Sequence, residues 1–542
     1  MNDKAATGAW RRPAAAAVAL MLLAALVGLA VGALLAASPP SGEGAGALAA
    51  LGEPYVWRVA RFTLWQAALS ALLSVLFALP VARAFARRGR FAGRGAFLRL
   101  ISLPLAIPQL VAVLGILSAW GRNGWLADAM AAMGLEQRPD IYGLGGILLA
   151  HVFFNMPLAA RLFIGALERL PDEYWRLSAQ LGMGPAAIWR HVEWPALRVV
   201  LPGVLMLIFM LCAASFTVVL TLGGGPAATT LEVAIYQALR FDFDPPRAVA
   251  LALLQLLLSG ALFIALRRFS GAGDTLAGLG RAARRFDGAG PMARLTDGWW
   301  LGLAALYVGL PLLGVIVSGL GAELGRLLTE TALHRALVTS LLLALAAAGL
   351  ALLLTWGLLS ALRGARGEVA GGPPAVAADV AASLVLAVPP LVVGAGWFVL
   401  LRPAGRLDLL GPLVVAVINA VMALPFAWRV LMPAFREAQN NYGRLCAQLG
   451  IGGLARLRLV DWPLLRRPLG LAGALAMALS IGDLGAIAMF GSENFRTLPW
   501  LLYSRLGSYR TEDAAGLALI LLVFILLLML LAERLAESGE RR

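Results

Sequence analysis

The chain has 542 residues, 60% hydrophobic and only 14% charged, with 45 lysines and arginines against 30 acids. One soluble core cannot bury that much apolar surface, so lipid must solvate a large share of it, which excludes an ordinary soluble protein. The formal charge of +15 could suit nucleic acid or anionic lipid, but the placement of the arginines gives it to membrane topology.

Apolar runs long enough to cross a hydrocarbon layer of roughly 30 Å fall at 14–37, 60–82, 97–119, 141–165, 197–221, 247–267, 299–320, 336–362, 376–401, 409–433, 466–490 and 514–533. The alternating pattern of a membrane barrel is absent, so the expected fold is all-α and polytopic. Residues 14–37 could be read as a cleavable signal, but the run exceeds a usual signal core and the alternation of sides needs it as a crossing. The loop "VARAFARRGRFAGRGAFLR" carries six arginines and no acid, which assigns it to the cytoplasm. Lys4, Arg11 and Arg12, then Arg267, Arg268, Arg281, Arg284, Arg285 and Arg294, then Arg363 and Arg366 fall on the same side. Loops 120–140 and 240–247 mix acids with few bases. Both termini are therefore expected inside, in a membrane whose lipid is the chain's first partner.

The stretch "RRFSGAGDTLAGLGRAARRFDGAGPMARLTDG" lacks a sustained apolar face and reads as a flexible cytoplasmic linker, spanning on the order of 30 Å. It divides the chain into a first half, 1–267, a linker, 268–298, and a second half, 299–542, each with six helices.

The halves repeat. "RLSAQLG" at 176–182 and "RLCAQLG" at 444–450 differ at one position and lie 268 residues apart. The same shift pairs Pro157 with Pro425, Arg161 with Arg429, Tyr174 with Tyr442, Trp194–Pro195 with Trp462–Pro463, and Leu197–Arg198 with Leu465–Arg466. One residue out of register, "IYQAL" at 235–239 resembles "LYSRL" at 502–506. Six spans separate the heptapeptides, and an even number of crossings keeps polarity, so these are parallel repeats with both heptapeptides on the cytoplasmic side. Locally, Pro171, Asp172 and Glu173 open a short helix, Gly182 ends it, and "PAAIWRHVEW" forms a second short helix running to Pro195. The second copy, "YGRLCAQLG" then "LARLRLVDWP", is expected to do the same. A preserved glycine and proline thirteen residues apart suit a docking element for two identical partner subunits; shared descent alone is the rival reading.

Other chemistry is sparse. Cys212 and Cys446 match no metal-ligand spacing, and His151, His191 and His334 are scattered, which argues against a membrane-embedded enzyme. The one lysine is Lys4, so a phosphate-binding loop, which requires a lysine, has no place here, and any ATP hydrolysis would have to come from another protein. Asp483, in "ALSIGDLGAIAMF", costs roughly 2.5–3.5 kcal/mol within a span. It is expected either on a translocation path, with Ser215 as its first-half equivalent, or as a cap where Gly482 and Gly485 break the helix. An ion-coupled transporter would need more buried ionisable groups than this. Pro157 and Pro425 are candidate bending points. "GGGPAATTLEVAIYQAL" and "FRTLPWLLYSRLGSYR" read as short re-entrant or surface helices at the outer face, with a simple connector of polar turn residues as the rival reading.

Residues 176–195 resemble the cytoplasmic signature of ABC importer permeases, in which a Glu-Ala-Ala start is followed by a glycine and an Ile-x-Leu-Pro ending. Here the glycines are Gly182 and Gly450, and the endings are Val192-Glu193-Trp194-Pro195 and Val460-Asp461-Trp462-Pro463. Arg176-Leu177-Ser178 and Arg444-Leu445-Cys446 stand where Glu-Ala-Ala usually does, so the glutamate's contact does not carry over. The resemblance implies a type I importer fold and coupling helices seated on two copies of a cytoplasmic ABC ATPase. It also implies a periplasmic substrate-binding protein, and ATP used by the partner with no cofactor bound by this chain. The coupling residues would be Arg176, Ala179, Gln180, Gly182, Trp194 and Pro195, with Arg444, Ala447, Gln448, Gly450, Trp462 and Pro463. "LLAHVFFNMPLAARLF", "LGGGPAATTLEVAIYQALRFDFDP" and "SIGDLGAIAMFGSENFRTLPWLLYSRLGSYRTEDAA" are similar to thiamine (thiamine pyrophosphate) importer permeases, with fused iron(III) importer permeases the nearest rival. On this reading the purified chain alone hydrolyses no ATP, and phosphate release appears only when an ATPase is added.

Overall fold

The computed structural model describes residues 21–22, 24–36, 47–89, 91–135, 138–269, 285–288, 290–362, 378–382, 388–403, 405, 407–493 and 495–537. Ten helices among them are long and apolar enough to cross a membrane, and Ala24–Ala36 and Pro390–Leu401 are shorter apolar helices. In chain order the main elements are α1 (Ala24–Ala36), α2 (Pro54–Arg87), α3 (Gln109–Trp120), α4 (Leu144–Glu168), α5 (Asp172–Gln180), α6 (Trp194–Ala213), α7 (Thr217–Leu222), α8 (Leu231–Arg240) and α9 (Pro245–Phe269). After the linker come α10 (Pro291–Leu320), α11 (Thr331–Ala361), α12 (Pro390–Leu401), α13 (Leu407–Gln448), α14 (Trp462–Gly482), α15 (Gly485–Phe490), α16 (Leu498–Gly507) and α17 (Thr511–Glu537). In lipid every backbone polar group must find a partner inside the protein, and the helix is the element that achieves this within one segment.

The expected span at 97–119 is broken. Its first part is the helix Arg94–Ser102, followed by a tight turn at Leu103–Leu105 and then α3. Pro104 and Pro108 explain the break, because neither can donate the backbone bond that a continuous helix requires. In the expected span at 376–401, residues 376–377 and 383–387 lie outside the described residues, and α12 starts at Pro390.

By contact the chain divides into two compact units. One comprises Met1–Gly52, Ile235–Leu256 and Ala322–Arg542; the other comprises Glu53–Ala234 and Leu257–Gly321. Each unit therefore contains the first helix of one repeat and the body of the other. In the first-named unit, the Trp397 indole N–H donates to the Leu26 carbonyl at 3.1 Å. A methyl on Gly396 would sit 2.3 Å from the Ala30 carbonyl oxygen. In the other unit, the Tyr307 hydroxyl of α10 donates to the Leu149 carbonyl at 2.6 Å, and its ring stacks on Trp120 at 5.4 Å. There a methyl on Gly115 would lie 2.2 Å from the Pro311 carbonyl oxygen. The two glycine contacts, Gly115 on Pro311 and Gly396 on Ala30, share one sequence offset of 281. Two helix backbones meet at each of these glycines because no side chain separates them, as small residues permit in membrane bundles.

Gly115→Ala and Gly396→Ala are expected to cost about 1–3 kcal/mol each through overpacking, lowering the midpoint of thermal unfolding in detergent. Gly349→Ala, where the added methyl meets open space inside α11, is expected to leave it unchanged or raise it slightly, since alanine favours a helix interior over glycine.

Candidate functional site at the twin glycine turns

Both heptapeptides end in the same backbone structure. The Gly182 N–H donates to Ala179 O at 3.1 Å and the Met183 N–H to Ser178 O at 3.0 Å. The Gly450 N–H donates to Ala447 O at 3.4 Å and the Ile451 N–H to Cys446 O at 2.9 Å. These paired bonds form the Schellman ending of a helix, which places its glycine in the left-handed region. Gly182 has φ +60° and Gly450 φ +64°. A further match lies beyond the turn: a π-helical turn occupies Trp189–Glu193 in one copy and Leu457–Asp461 in the other, again 268 residues apart. Each leads without interruption into a long apolar helix, α6 or α14.

The position that differs between the heptapeptides is buried in both. Ser178 tucks in and donates to Tyr174 O at 2.7 Å, while Cys446 is a free buried thiol. Both are small enough for the site. The predicted coupling residues Arg176, Ala179, Gln180 and Gly182, and Arg444, Ala447, Gln448 and Gly450, are all exposed; Trp194 and Pro195 are half-buried, and Trp462 and Pro463 exposed. Sequence reading missed the apolar side chains beside them. Tyr174, Leu177 and Leu181 are 52%, 54% and 67% exposed, and their equivalents Tyr442, Leu445 and Leu449 are 41%, 50% and 64% exposed. Spacing of three and four residues gathers each trio on one helical face. The signal was present in the heptapeptides, whose leucines are as well repeated as their glycine.

The two copies are held differently. In the first, Pro171 separates α5 from α4. Its equivalent is Gln439, so no break occurs and the second copy is the end of the 42-residue helix α13, where a short helix was expected. Gln439 is buried and its carbonyl accepts from the Arg456 guanidinium, whose Nε lies 3.6 Å from Asp461. In the first copy, Trp175 packs against Ile188 and Val192, where the second copy has Gly443. Glu193, matching Asp461, is fully buried and takes two guanidinium groups: Arg83 Nε at 2.6 Å and Arg285 Nη2 at 2.6 Å. Arg83 also donates to Pro185 O at 3.0 Å and lies 5.1 Å from the Trp189 ring centre.

Arg285 comes from the end of the linker. Residues 270–284 lie outside the described residues, but Arg285 and Asp287 have side chains only 1% exposed, so this end is packed, contrary to a uniformly flexible linker. Burial works against the Asp287 charge, yet the hydrogen bond from Arg285 and the charges of Arg285, Arg87 and Arg83 prevail, holding its carboxyl below the usual range.

The breaks before α7 and α15 also coincide under the 268-residue shift. Asp483 caps α15: its carboxylate accepts the Gly485 and Ala486 N–H groups, each at 3.1 Å. Ser215 is buried at the matched break, and its hydroxyl has no hydrogen-bond partner among the described residues. Pro157 and Pro425 sit inside unbroken helices, and His191 is exposed. The two segments read as re-entrant or surface helices become α8 and α16, docked through their N-termini. The Leu231 N–H donates to Thr63 Oγ1 at 3.0 Å, and the Leu498 N–H to Ser340 Oγ at 2.8 Å. Most of the first turn of each is buried.

Residues 74–271 match the model of the binding-protein-dependent transport system inner membrane component. The chain is 53% identical to the thiamine transport system permease protein of Brucella abortus over 98% of this chain and 96% of that one. The chain belongs to the family of binding-protein-dependent transport permeases. The thiamine transport system permease protein of Escherichia coli is 47% identical over 89% of this permease and 90% of its own length. The molybdenum transport system permease protein of Mycobacterium bovis is 32% identical, but over only 35% of this chain and 70% of its own length. That shorter match suits a relative no longer than about one repeat. The permease is thus a multi-span protein of the inner membrane.

Gly182→Ala and Gly450→Ala place a methyl in open space, so their cost is conformational, about 1–2 kcal/mol for a left-handed residue. Hydrogen exchange at Leu181–Met183 and Leu449–Ile451 is expected to speed up by roughly tenfold.

Proposed function

We infer that this chain is the permease subunit of an ATP-driven thiamine importer. It would carry thiamine and its phosphate esters from periplasm to cytoplasm by alternating access. The single observation that carries the mechanism is the pair of equivalent exposed trios, Tyr174-Leu177-Leu181 and Tyr442-Leu445-Leu449, each fixed beside a left-handed glycine. Two matching apolar faces suit two copies of one partner, and the permease family supplies its class, a cytoplasmic ABC ATPase. Closure of the two ATPase subunits on ATP would draw the two coupling elements together and open the other side to a loaded periplasmic binding protein. Arg176 and Arg444 would meet acids on the ATPase. Ser215 and Asp483, at the matched helix breaks, are the proposed polar points of the path, and both termini would lie in the cytoplasm. The substrate reading rests on the near full-length likeness to thiamine permeases. The rival iron(III) reading finds no support in these relatives.

Moving one leucine side chain from water into a protein groove stabilises by about 1.5–3 kcal/mol. Leu177→Asp with Leu445→Asp is therefore expected to weaken co-purification with the cognate ATPase by at least tenfold and to abolish uptake of labelled thiamine. Assembly and uptake at the unmodified level would refute the coupling assignment. Labelled thiamine entering a complemented deletion strain, with iron uptake unaffected, is the result expected for the substrate.

A further inference from the structure

We propose that the described end of the segment joining the two repeats, from Arg285 to Asp287, is a positioning device for the first coupling element, acting through Arg285. The proposal rests on the coupling assignment above and says how one of the two sockets is held.

The geometry is a buried relay of alternating charge. Glu193 closes the π-turn of the first coupling element and accepts from Arg285 at 2.6 Å. Arg285 is in turn gripped by Asp287 through two bonds, Nε to Oδ1 at 3.0 Å and Nη2 to Oδ2 at 2.7 Å. Asp287 lies 3.4 Å from the Arg87 Nε at the end of α2. Arg87 then reaches Asp297 of α10 at 3.3 Å, which Arg88 also binds at 2.9 Å. Above this line the Arg285 guanidinium sits 4.1 Å from the Trp175 ring centre, the bulky residue that anchors α5. One side chain from the linker thus touches both limbs of the coupling element, the helix before the glycine and the turn after it.

Two physical points make this more than a surface tether. A buried guanidinium without its acids would be strongly penalised, so breaking one link of the relay costs far more than breaking a surface ion pair. A planar guanidinium can hold two carboxylates in its own plane while its face lies on an aromatic ring, which an ammonium cannot do. The relay also reaches α2 and α10, so a displacement of the coupling element is transmitted to two membrane helices. The second copy differs in the residues themselves: Gly443 replaces Trp175 and Asp461 replaces Glu193. Among the described contacts, its acid lies 3.6 Å from Arg456 Nε of its own short helix. The two sockets therefore share a contact face and differ in what stands behind it.

The test uses the full complex of permease, ATPase and binding protein in proteoliposomes, measuring thiamine transported per ATP hydrolysed. Arg285→Met is expected to assemble with the ATPase but to lower that ratio at least fivefold, with the thiamine KM unchanged. Arg285→Lys, which keeps the charge and loses the planar fork, is expected to fall between. In a double-mutant cycle, Arg285→Met and Glu193→Gln should together cost clearly less than the product of their separate effects, the remaining Glu193 effect reflecting its second partner, Arg83. Should Arg285→Met fail to accumulate, Arg285→Lys decides alone. A wild-type ratio in the decisive variant, or effects of Arg285 and Glu193 changes that simply multiply, would overturn the proposal. Failure of the coupling assignment itself would show differently, as Leu177→Asp/Leu445→Asp permease that still assembles and transports.

Discussion

No water is at hand inside a hydrocarbon layer, so each backbone N–H freed by a helix break must be met by the protein itself. That requirement organises this permease. Helices run unbroken through most of the chain, and where they stop a particular group satisfies what is left open. Asp483 caps α15, and Thr63 and Ser340 receive the first turns of α8 and α16; the exposed glycine turns at 182 and 450, outside the long apolar helices, close on carbonyls of their own helices. The functional features sit at these breaks because only there do polar atoms and side chains leave the helical pattern.

Much of this was legible from residues. Apolar run length gave most of the spans, arginine placement gave an expected orientation, and the 268-residue shift anticipated glycine turns that the backbone carries at matching φ. What escaped the sequence has definite causes. The break at 102–109 depends on two prolines inside a run that is apolar enough to pass for one crossing. The long α13 follows from Gln439 standing where Pro171 does, a difference visible only once the copies are aligned and the missing break is sought. The docking of Arg285 on Glu193 and Trp175 joins residues far apart in sequence, and an arginine in a glycine-rich stretch looks like any topology signal. Asp483 had two open readings, a path residue and a cap; its bonds to the Gly485 and Ala486 N–H groups account for the cap and leave acceptor sites on both oxygens for the path role proposed above.

The repeats are alike in backbone and unlike in support. Equivalent turns, equivalent breaks and equivalent exposed trios preserve a common geometry on the outside, while the interior behind them has diverged: tryptophan against glycine, glutamate against aspartate, a broken helix against a continuous one. A fused chain permits this. Two copies of one gene product must support both sockets with the same residues, whereas two repeats in one polypeptide can hold the same external face with different scaffolding.

The exchange of first helices carries a consequence for biogenesis. α10 completes the unit built on the first repeat, and its backbone closes against Gly115. During synthesis the earlier body must therefore wait, with that glycine groove open to lipid, until the chain has been extended past residue 320. Maturation of the first repeat thus runs on the ribosome's clock for the second, and a truncated product ending in the linker would sit in the membrane with an unfilled seam.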